Sequence, residues 1–380
     1  MKRVRTALTA ALDALARPSF RLGGRSWPFY GLFVCSGMTA GVLYAVTLAR
    51  LRGIPLGAMA AALAAGLLAA GALALGTEIL TGRELYTFYH YQLAVLAAGG
   101  ATLAVIGRPA LPCLDVLGLA LGLTQAFGRL GCFMAGCCHG RPHRWGVCYR
   151  QEHAEQGFER ALVGVRLFPV QAVESLCLFL LTAAGTGLML SGRSPGSALA
   201  AYLSGYAAIR FALELARGDS ARPFVRGFSE AQWTALAVLV AVAAAEAAGL
   251  LPPSPWPPAA LALMVLATAG LTLHRRLRPI PTHRLLHPGH VSELAAALHE
   301  LARQQSPAPR VACTSQGVRL SLGSLHGGGA HYALSSRDGA LPEAAAKRLA
   351  DLILRLRHPT EPGRLLPGNH GVFHLLIGPP

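Results

Sequence analysis

The chain has 380 residues, of which 53% are hydrophobic and only 14% charged, against about 25% charged in an ordinary soluble domain. Mean hydropathy is +0.44, and 34 Lys and Arg against 18 Asp and Glu give a net charge of +16. Disorder, collagen and a small disulfide-stapled scaffold are excluded, and an integral membrane protein is the natural reading. The positive charge is nearly all Arg, which suits anionic lipid headgroups and the surface of the bilayer better than nucleic acid in such a chain.

Met1–Arg25 is basic and amphipathic, and no short signal-peptide pattern stands ahead of the first apolar run. Trp27–Ala49 and Gly53–Thr77 are uncharged and long enough to cross about 30 Å of hydrocarbon. Leu85–Gly107 begins with the polar aromatic stretch TFYHYQ, and Pro109–Gly128 is interrupted by Asp115 alone. Ser175–Gly192, Ser194–Ile209 and Ala231–Ala245 follow, and Pro257–Leu273 is an eighth span of marginal length. The expected fold is therefore an all-α polytopic membrane protein of seven or eight transmembrane helices. Its domain occupies 27–274, behind a basic segment, 1–26. Residues 275–290 read as a linker, within which His283, His287 and His290 read as solvated. Residues 291–380 read as a small soluble C-terminal α/β appendage. Its amphipathic helices are expected at Val291–Gln305 and Leu341–Arg357, and GVRLSLG and HYALSS alternate like strands.

Polar groups in or beside apolar spans are expensive and mark function. Five places qualify: Tyr30; His90 in FYHYQL; the run GRLGCFMAGCCHGRP at 128–142; FPVQAVES at 168–175; and RFALELARGD at 210–219. If the spans are successive crossings, the starts of the first, third and fifth lie on the same face as the ends of the second, fourth and sixth. All five places then share one membrane face.

In order along the chain, these pieces resemble the prolipoprotein diacylglyceryl transferase family. Gly128-Arg129-Leu130-Gly131-Cys132-Phe133 through Gly140 follows the frame of the family signature G-R-x-G-N-F-x-N-x-E-x-x-G. FYGL at 29–32 is similar to its W-Y-G-L, and Tyr89-His90 to its F-H-G-G. Pro169 to Glu174 resembles H-P-x-Q-L-Y-E, Arg210-Phe211 to Arg217 resembles R-F-x-x-E-x-x-R, and GFSEAQW at 227–233 resembles G-[LI]-S-x-x-Q. The chain departs from the signature at Cys132, Ala135 and Cys137, which stand where the family has Asn, Asn and an acid. Tyr91 and Gln92 replace two glycines, and Phe168 replaces a histidine.

The resemblance implies transfer of the diacylglyceryl group of phosphatidylglycerol to the lipobox cysteine of prelipoprotein signal peptides, with no cofactor or metal, in the bacterial inner membrane. The acceptor must be a thiolate, and a free thiol with pKa about 8.5 is mostly protonated at neutral pH. His90 is the expected base. Arg129 and Arg210 are expected to clamp the leaving phosphate. Glu214 and Arg217 follow on roughly the same helix face and could hold the arginines in register. Tyr30, Cys132 and Glu174 are further substrate-binding candidates, and Gly136 and Gly140 would let backbone N–H groups approach the headgroup.

Four of the eight cysteines fall between Cys132 and Cys148. With His139 they offer soft metal ligands, but the spacing is not the paired C-x2-C of common zinc sites, and neighbours such as Cys137 and Cys138 chelate one ion awkwardly. A disulfide and plain packing stand beside that reading. The contrasting hypothesis is a non-catalytic lipid-binding or metal- or redox-sensing membrane protein that uses this cluster. Arg141, Arg144, Arg150, Arg160 and Arg166 crowd the loop after the fourth span, where the positive-inside rule would place the cytoplasm. The resemblance places the same loop outside, and that orientation is adopted.

Overall fold

A computed structural model describes residues 2–82, 88–220, 222–277, 282–303, 310–325, 329–357 and 362–378. The first residues of the expected third span, 85–87, and part of the expected linker, 278–281, lie outside these. An amphipathic helix α1 (Lys2–Leu15) leads into a hairpin, β1 (Ser19–Leu22) and β2 (Arg25–Pro28), turned by Gly23 and Gly24.

Eight long helices follow among the described residues. They are α2 (Phe29–Leu51), α3 (Leu56–Thr81), α4 (Phe88–Val105), α5 (Ala110–Ala135), then α7 (Val170–Leu190), α8 (Ser197–Glu214), α9 (Glu230–Ala247) and α10 (Trp256–Leu277). Between α5 and α7 lie β3 (Pro142–Cys148), the short α6 (Gln151–Ala154), a 3-10 turn (Arg160–Leu162) and β4 (Arg166–Leu167). A small hairpin, β5 (Phe224–Val225) and β6 (Phe228–Ser229), precedes α9.

Six of the long helices, α2, α3, α5, α7, α9 and α10, are long and apolar enough to cross a membrane. α4 and α8 have 18 residues each. The chain is a multi-pass membrane protein. Leucines such as Leu68, Leu80 and Leu266 face outward, as a lipid-facing surface requires.

Local chemistry sets the helix ends. A proline stands immediately before α2, α3, α5 and α7, and Ser229 and Gln232 form a capping box on α9. Asp115 does more than interrupt a span. Its carboxylate accepts from the backbone N–H groups of Gly196 and Leu199 at 2.7 Å each, closing the buried start of α8. At Gly122 a Cβ would lie 2.6 Å from the Tyr202 ring and 2.7 Å from the Thr182 hydroxyl, so glycine lets α7 and α8 close on α5.

Three of the helix boundaries that differ from the sequence expectation lie where charges gather. α5 runs seven residues past Gly128, α7 starts at Val170 instead of Ser175, and α8 continues through Arg210 to Glu214. The expected ends stopped at charges. Those charges are paired inside the protein, so the helices carry on through them.

After α10 come α11 (Thr282–Leu285), α12 (Pro288–Arg303), β7 (Val311–Cys313), β8 (Val318–Ser324), β9 (Ala330–Ser336), α13 (Glu343–Arg357), β10 (Gly363–Pro367) and β11 (Phe373–Ile377). The strands form one antiparallel sheet in the order β10-β11-β9-β8-β7. Its core is continuous with the α5–α7 connection. Leu294, Leu298 and Ile353 belong to one buried cluster with Phe133, Val147, Tyr149 and Leu167. His290, expected in a solvated linker, is buried. Its ring nitrogens meet the Leu285 carbonyl at 2.8 Å and the Thr314 hydroxyl at 2.9 Å. The side chain of His283 lies outside the described residues.

Candidate functional site

The end of α5, the start of α7 and the end of α8 bring their charged side chains together. Arg129 Nη2 lies 2.8 Å from Glu174 Oε2, and Arg210 Nη1 approaches the same oxygen at 3.2 Å. Arg210 Nη2 pairs with Glu214 Oε1 at 2.8 Å, and Arg217 Nη1 shares that oxygen at 3.0 Å. Arg217 then forks onto Asp219 at 3.0 and 2.9 Å, and Arg222 joins both Asp219 and Glu214. Arg129, Glu174, Arg210, Glu214 and Arg217 are all buried.

Four guanidiniums against three carboxylates leave the row with one positive charge in excess. The Nε atoms of Arg129 and Arg210 are buried with no hydrogen-bond partner among the described residues. Unused buried donors beside excess positive charge suit an anion. At Arg217 burial opposes the charged form, but Cys138, Asp219 and Glu214 outweigh it, so its pKa is raised.

A polar chain absent from the sequence expectations supports Glu174. Gln92 donates to Gln125 at 2.9 Å and to the Tyr202 hydroxyl at 2.7 Å. Gln125 donates to the Tyr206 hydroxyl, which donates to Glu174 at 3.1 Å. The only signal in the sequence was that polar groups stand within apolar spans, Gln92 at the close of TFYHYQ and the others farther along. Arg222 was also missed, being separated from the motif by the turn after α8.

His90 meets a partner that the sequence did not reveal: Nε2 lies 3.3 Å from Glu230 Oε1, at the start of α9. Both side chains are only partly buried. Tyr30 is exposed at the start of α2 and runs close to α5, where a Cβ on Gly131 would lie 3.2 Å from the Tyr30 carbonyl.

The glycines have conformational and packing reasons. Gly136 ends α5 in the left-handed conformation, φ 80°. A Cβ on Gly140 would collide with the Phe168 carbonyl, because this loop is stitched closely to its neighbours. Arg141 N–H donates to Ala216 O at 2.9 Å, and Gly218 N–H to His139 O at 2.8 Å.

The sulfurs of Cys132, Cys137 and Cys138 lie within 4.8 Å of one another. Hydrogen bonds from the Cys132 and Cys137 thiols hold the Cys138 thiol well below its usual range, and Arg217 and Arg129 add to this. The other two members of the expected cluster are elsewhere engaged. Cys148 lies near Asp13, whose carboxylate accepts from its backbone N–H at 2.7 Å, and His139 Nδ1 bonds the Gly140 carbonyl at 3.0 Å.

The fold is that of a multi-helix membrane protein with a buried, net-positive row of arginines at one end of its helices. The profile of the family described as "Prolipoprotein diacylglyceryl transferase" matches residues 18–247, and the chain belongs to that family. It is 30% identical over 132 residues to the phosphatidylglycerol–prolipoprotein diacylglyceryl transferase of Clostridium tetani (strain Massachusetts / E88), covering 34% of this chain and 50% of that protein. It is 33% identical over 132 residues to the protein of the same name from Dehalococcoides mccartyi (strain ATCC BAA-2266 / KCTC 15142 / 195), covering 34% and 48%. The chain thus spans about half the length of the curated relatives it matches.

Proposed function

We propose that this protein transfers the diacylglyceryl group of phosphatidylglycerol to the lipobox cysteine thiol of prelipoproteins in the bacterial inner (cytoplasmic) membrane. The products are a thioether and glycerol phosphate. The observation that carries this reading is the pair of buried arginines sharing Glu174, each with an unused Nε donor. A phosphodiester placed there meets two guanidiniums held in advance of the reaction, and they stabilise the charge that grows on the leaving phosphate.

His90 takes the proton from the acceptor thiol, and Glu230 orients the ring. The thiolate then attacks the glycerol carbon bearing the phosphate. The C–S bond forms, the C–O bond breaks, and the electron pair leaves with the phosphate oxygen. Glu214 and Arg217 keep Arg210 in place, and Tyr30 and Cys132 flank the headgroup at the ends of α2 and α5. Gly136 and Gly140 shape the loop beside it. The partners are phosphatidylglycerol, prelipoprotein signal peptides and the bilayer, and nucleic acid is not among them.

The test is complementation of a bacterial strain depleted of its own transferase. Growth, with prelipoprotein gaining the mass of a diacylglyceryl group, is the expected result. Stable expression without lipidation would overturn the proposal.

A further inference from the structure

The reaction proposed above gives Cys132 a place beside the headgroup but leaves without a role its convergence with two further thiols, those of Cys137 and Cys138. Among the described residues no other group of three His, Cys, Asp or Glu side chains comes together in this way. We propose that Cys132, Cys137 and Cys138 bind one zinc ion as a tri-thiolate whose fourth coordination position is open to an incoming thiol. The part about the incoming thiol rests on the proposed transfer reaction.

Sulfurs about 2.3 Å from a tetrahedral zinc lie about 3.8 Å apart. The three sulfurs, already within 4.8 Å of one another, need only a small closing movement. Adjacent cysteines usually splay, and two backbone features prevent that here. Gly136 turns the chain back over the end of α5, and Cys138 itself takes a left-handed φ of 53°. Both thiols after the turn thereby reach Cys132. A non-glycine residue in this region is costly and persists where the surroundings require it.

Among the described residues no fourth His, Cys, Asp or Glu ligand joins the three sulfurs. His139 lies outside the group of converging ligand atoms and packs edge-on against Phe158 at 5.6 Å, while Cys148 is engaged near Asp13. Cys137 is exposed, and Cys132 and Cys138 are partly so, which leaves the site accessible. A zinc ion with three protein ligands and one vacancy is the form that binds a reactant. Three thiolates and a divalent zinc carry one net negative charge, offset by the Arg129 guanidinium near Cys132 and Cys138 and by that of Arg217 near Cys138.

A Cys137–Cys138 bridge fits poorly. Consecutive Cα atoms are about 3.8 Å apart, below the disulfide range of about 4.4–6.8 Å. Coordination suits the transfer. The incoming thiol forms a Zn–S bond and loses its proton, which passes to the base of the reaction, His90 in the reading above.

The experiment uses the full chain in detergent micelles. Metal content is measured directly, and cobalt(II) is then exchanged in to give thiolate-to-metal charge-transfer absorption. One zinc per chain is expected, falling at least tenfold in both Cys132→Ser and Cys138→Ser. Cys148→Ser should keep its zinc and serves as the control for folding. A lipobox peptide with its single cysteine should shift the cobalt spectrum, and its serine twin should not. The inference is overturned by reduced protein that takes up neither metal, by Cys132→Ser that keeps full zinc, or by a cobalt spectrum indifferent to the peptide. A copper(I) ion closed by three thiolates, or a disulfide through Cys132 in protein isolated without oxidant, would overturn it too. Zinc-free protein that still transfers diacylglyceryl would also sink it while leaving the proposed function standing. Zinc-loaded protein that fails complementation would sink the proposed function while supporting the metal site.

Discussion

Arg129 and Arg210 come from the ends of two different helices and converge on a single oxygen, Oε2 of Glu174, at 2.8 and 3.2 Å. Glu174 is 1% exposed. Two charges of the same sign are tolerated side by side because one buried carboxylate divides itself between them. The same arrangement leaves each guanidinium an Nε donor with no hydrogen-bond partner among the described residues.

That donor makes geometry, not charge alone, the property to test. Arg129→Lys keeps the charge but loses the planar fork, so transfer should fall nearly as far as in Arg129→Ala, about 10²–10³-fold. Initial rates at matched membrane abundance decide it. A lysine variant with near wild-type turnover would show that Arg129 only supplies positive charge at a helix end.

Removing the shared carboxylate tests the other half. Glu174→Gln keeps the shape but leaves Arg129 and Arg210 buried against each other. Breaking a buried pair in this way costs about 3–5 kcal/mol. The midpoint of thermal unfolding in detergent should drop sharply, and the drop should shrink when Arg129→Met is added. Equal stability of Glu174→Gln and wild type would argue against a shared counter-charge.

The His90–Glu230 pair, 3.3 Å apart, separates a base from the residue that positions it. His90→Gln should lower turnover about 10²–10⁴-fold, the usual range for losing a general base. Glu230→Gln should cost less and act on turnover with little change in the concentration of phosphatidylglycerol needed for half-saturation. A Glu230 variant altered only in that concentration would place Glu230 in lipid binding.

The helices and the polar ends of the membrane domain were legible in the sequence because hydrocarbon imposes a length on every crossing and makes each polar residue conspicuous. What joins those residues was less so. Gln92, Gln125, Tyr202 and Tyr206 lie on three helices, and no local spacing announces that they form one hydrogen-bonded chain to Glu174. The thiol cluster was discounted on local grounds, since neighbouring cysteines chelate poorly in an ordinary backbone. The left-handed conformation at Cys138 removes that objection, and only the folded turn reveals it. In the appendage, β8 and β9 alternate clearly, whereas β7, β10 and β11 are short and acquire their identity from their neighbours.

The appendage carries its own pH dependence. His331 Nε2 and His374 Nδ1 are 2.9 Å apart on adjacent strands. Burial, and then the neighbouring His374, lower the His331 pKa from its ordinary 6.5. The unfolded chain therefore binds the proton that the folded sheet refuses. Stability is full above pH 6.5 and is lost as pH falls below it, until the folded His331 itself titrates. Hydrogen exchange at β9 and β11 should accelerate as pH drops below this value, after correction for the intrinsic rate, and His331→Gln should flatten the response. An unchanged profile in that variant would remove the pair from the account.

The last prediction concerns which side of the membrane the appendage occupies. α10, marginal in the sequence, is a 22-residue helix long and apolar enough to cross. The chain after it returns to the end of the bundle that holds the arginine row. There α12 and α13 share a core with the α5–α7 connection, Arg144 Nη2 lies 3.9 Å from Asp351, and Ser292 bonds Glu159. A cysteine at position 144 and the exposed natural Cys313 should therefore react with a membrane-impermeant maleimide from the same side. A cysteine at position 193, in the exposed turn between α7 and α8, should react from the other side. Right-side-out and inside-out vesicles, each carrying a single reactive cysteine, make the comparison. The outcome does not depend on which side is cytoplasmic, so it tests the crossing by α10 apart from the competing charge and family arguments about orientation. Opposite-side labelling at 144 and 313 would show that α10 does not span and that the packing of the appendage on the α5–α7 connection is not formed in the membrane.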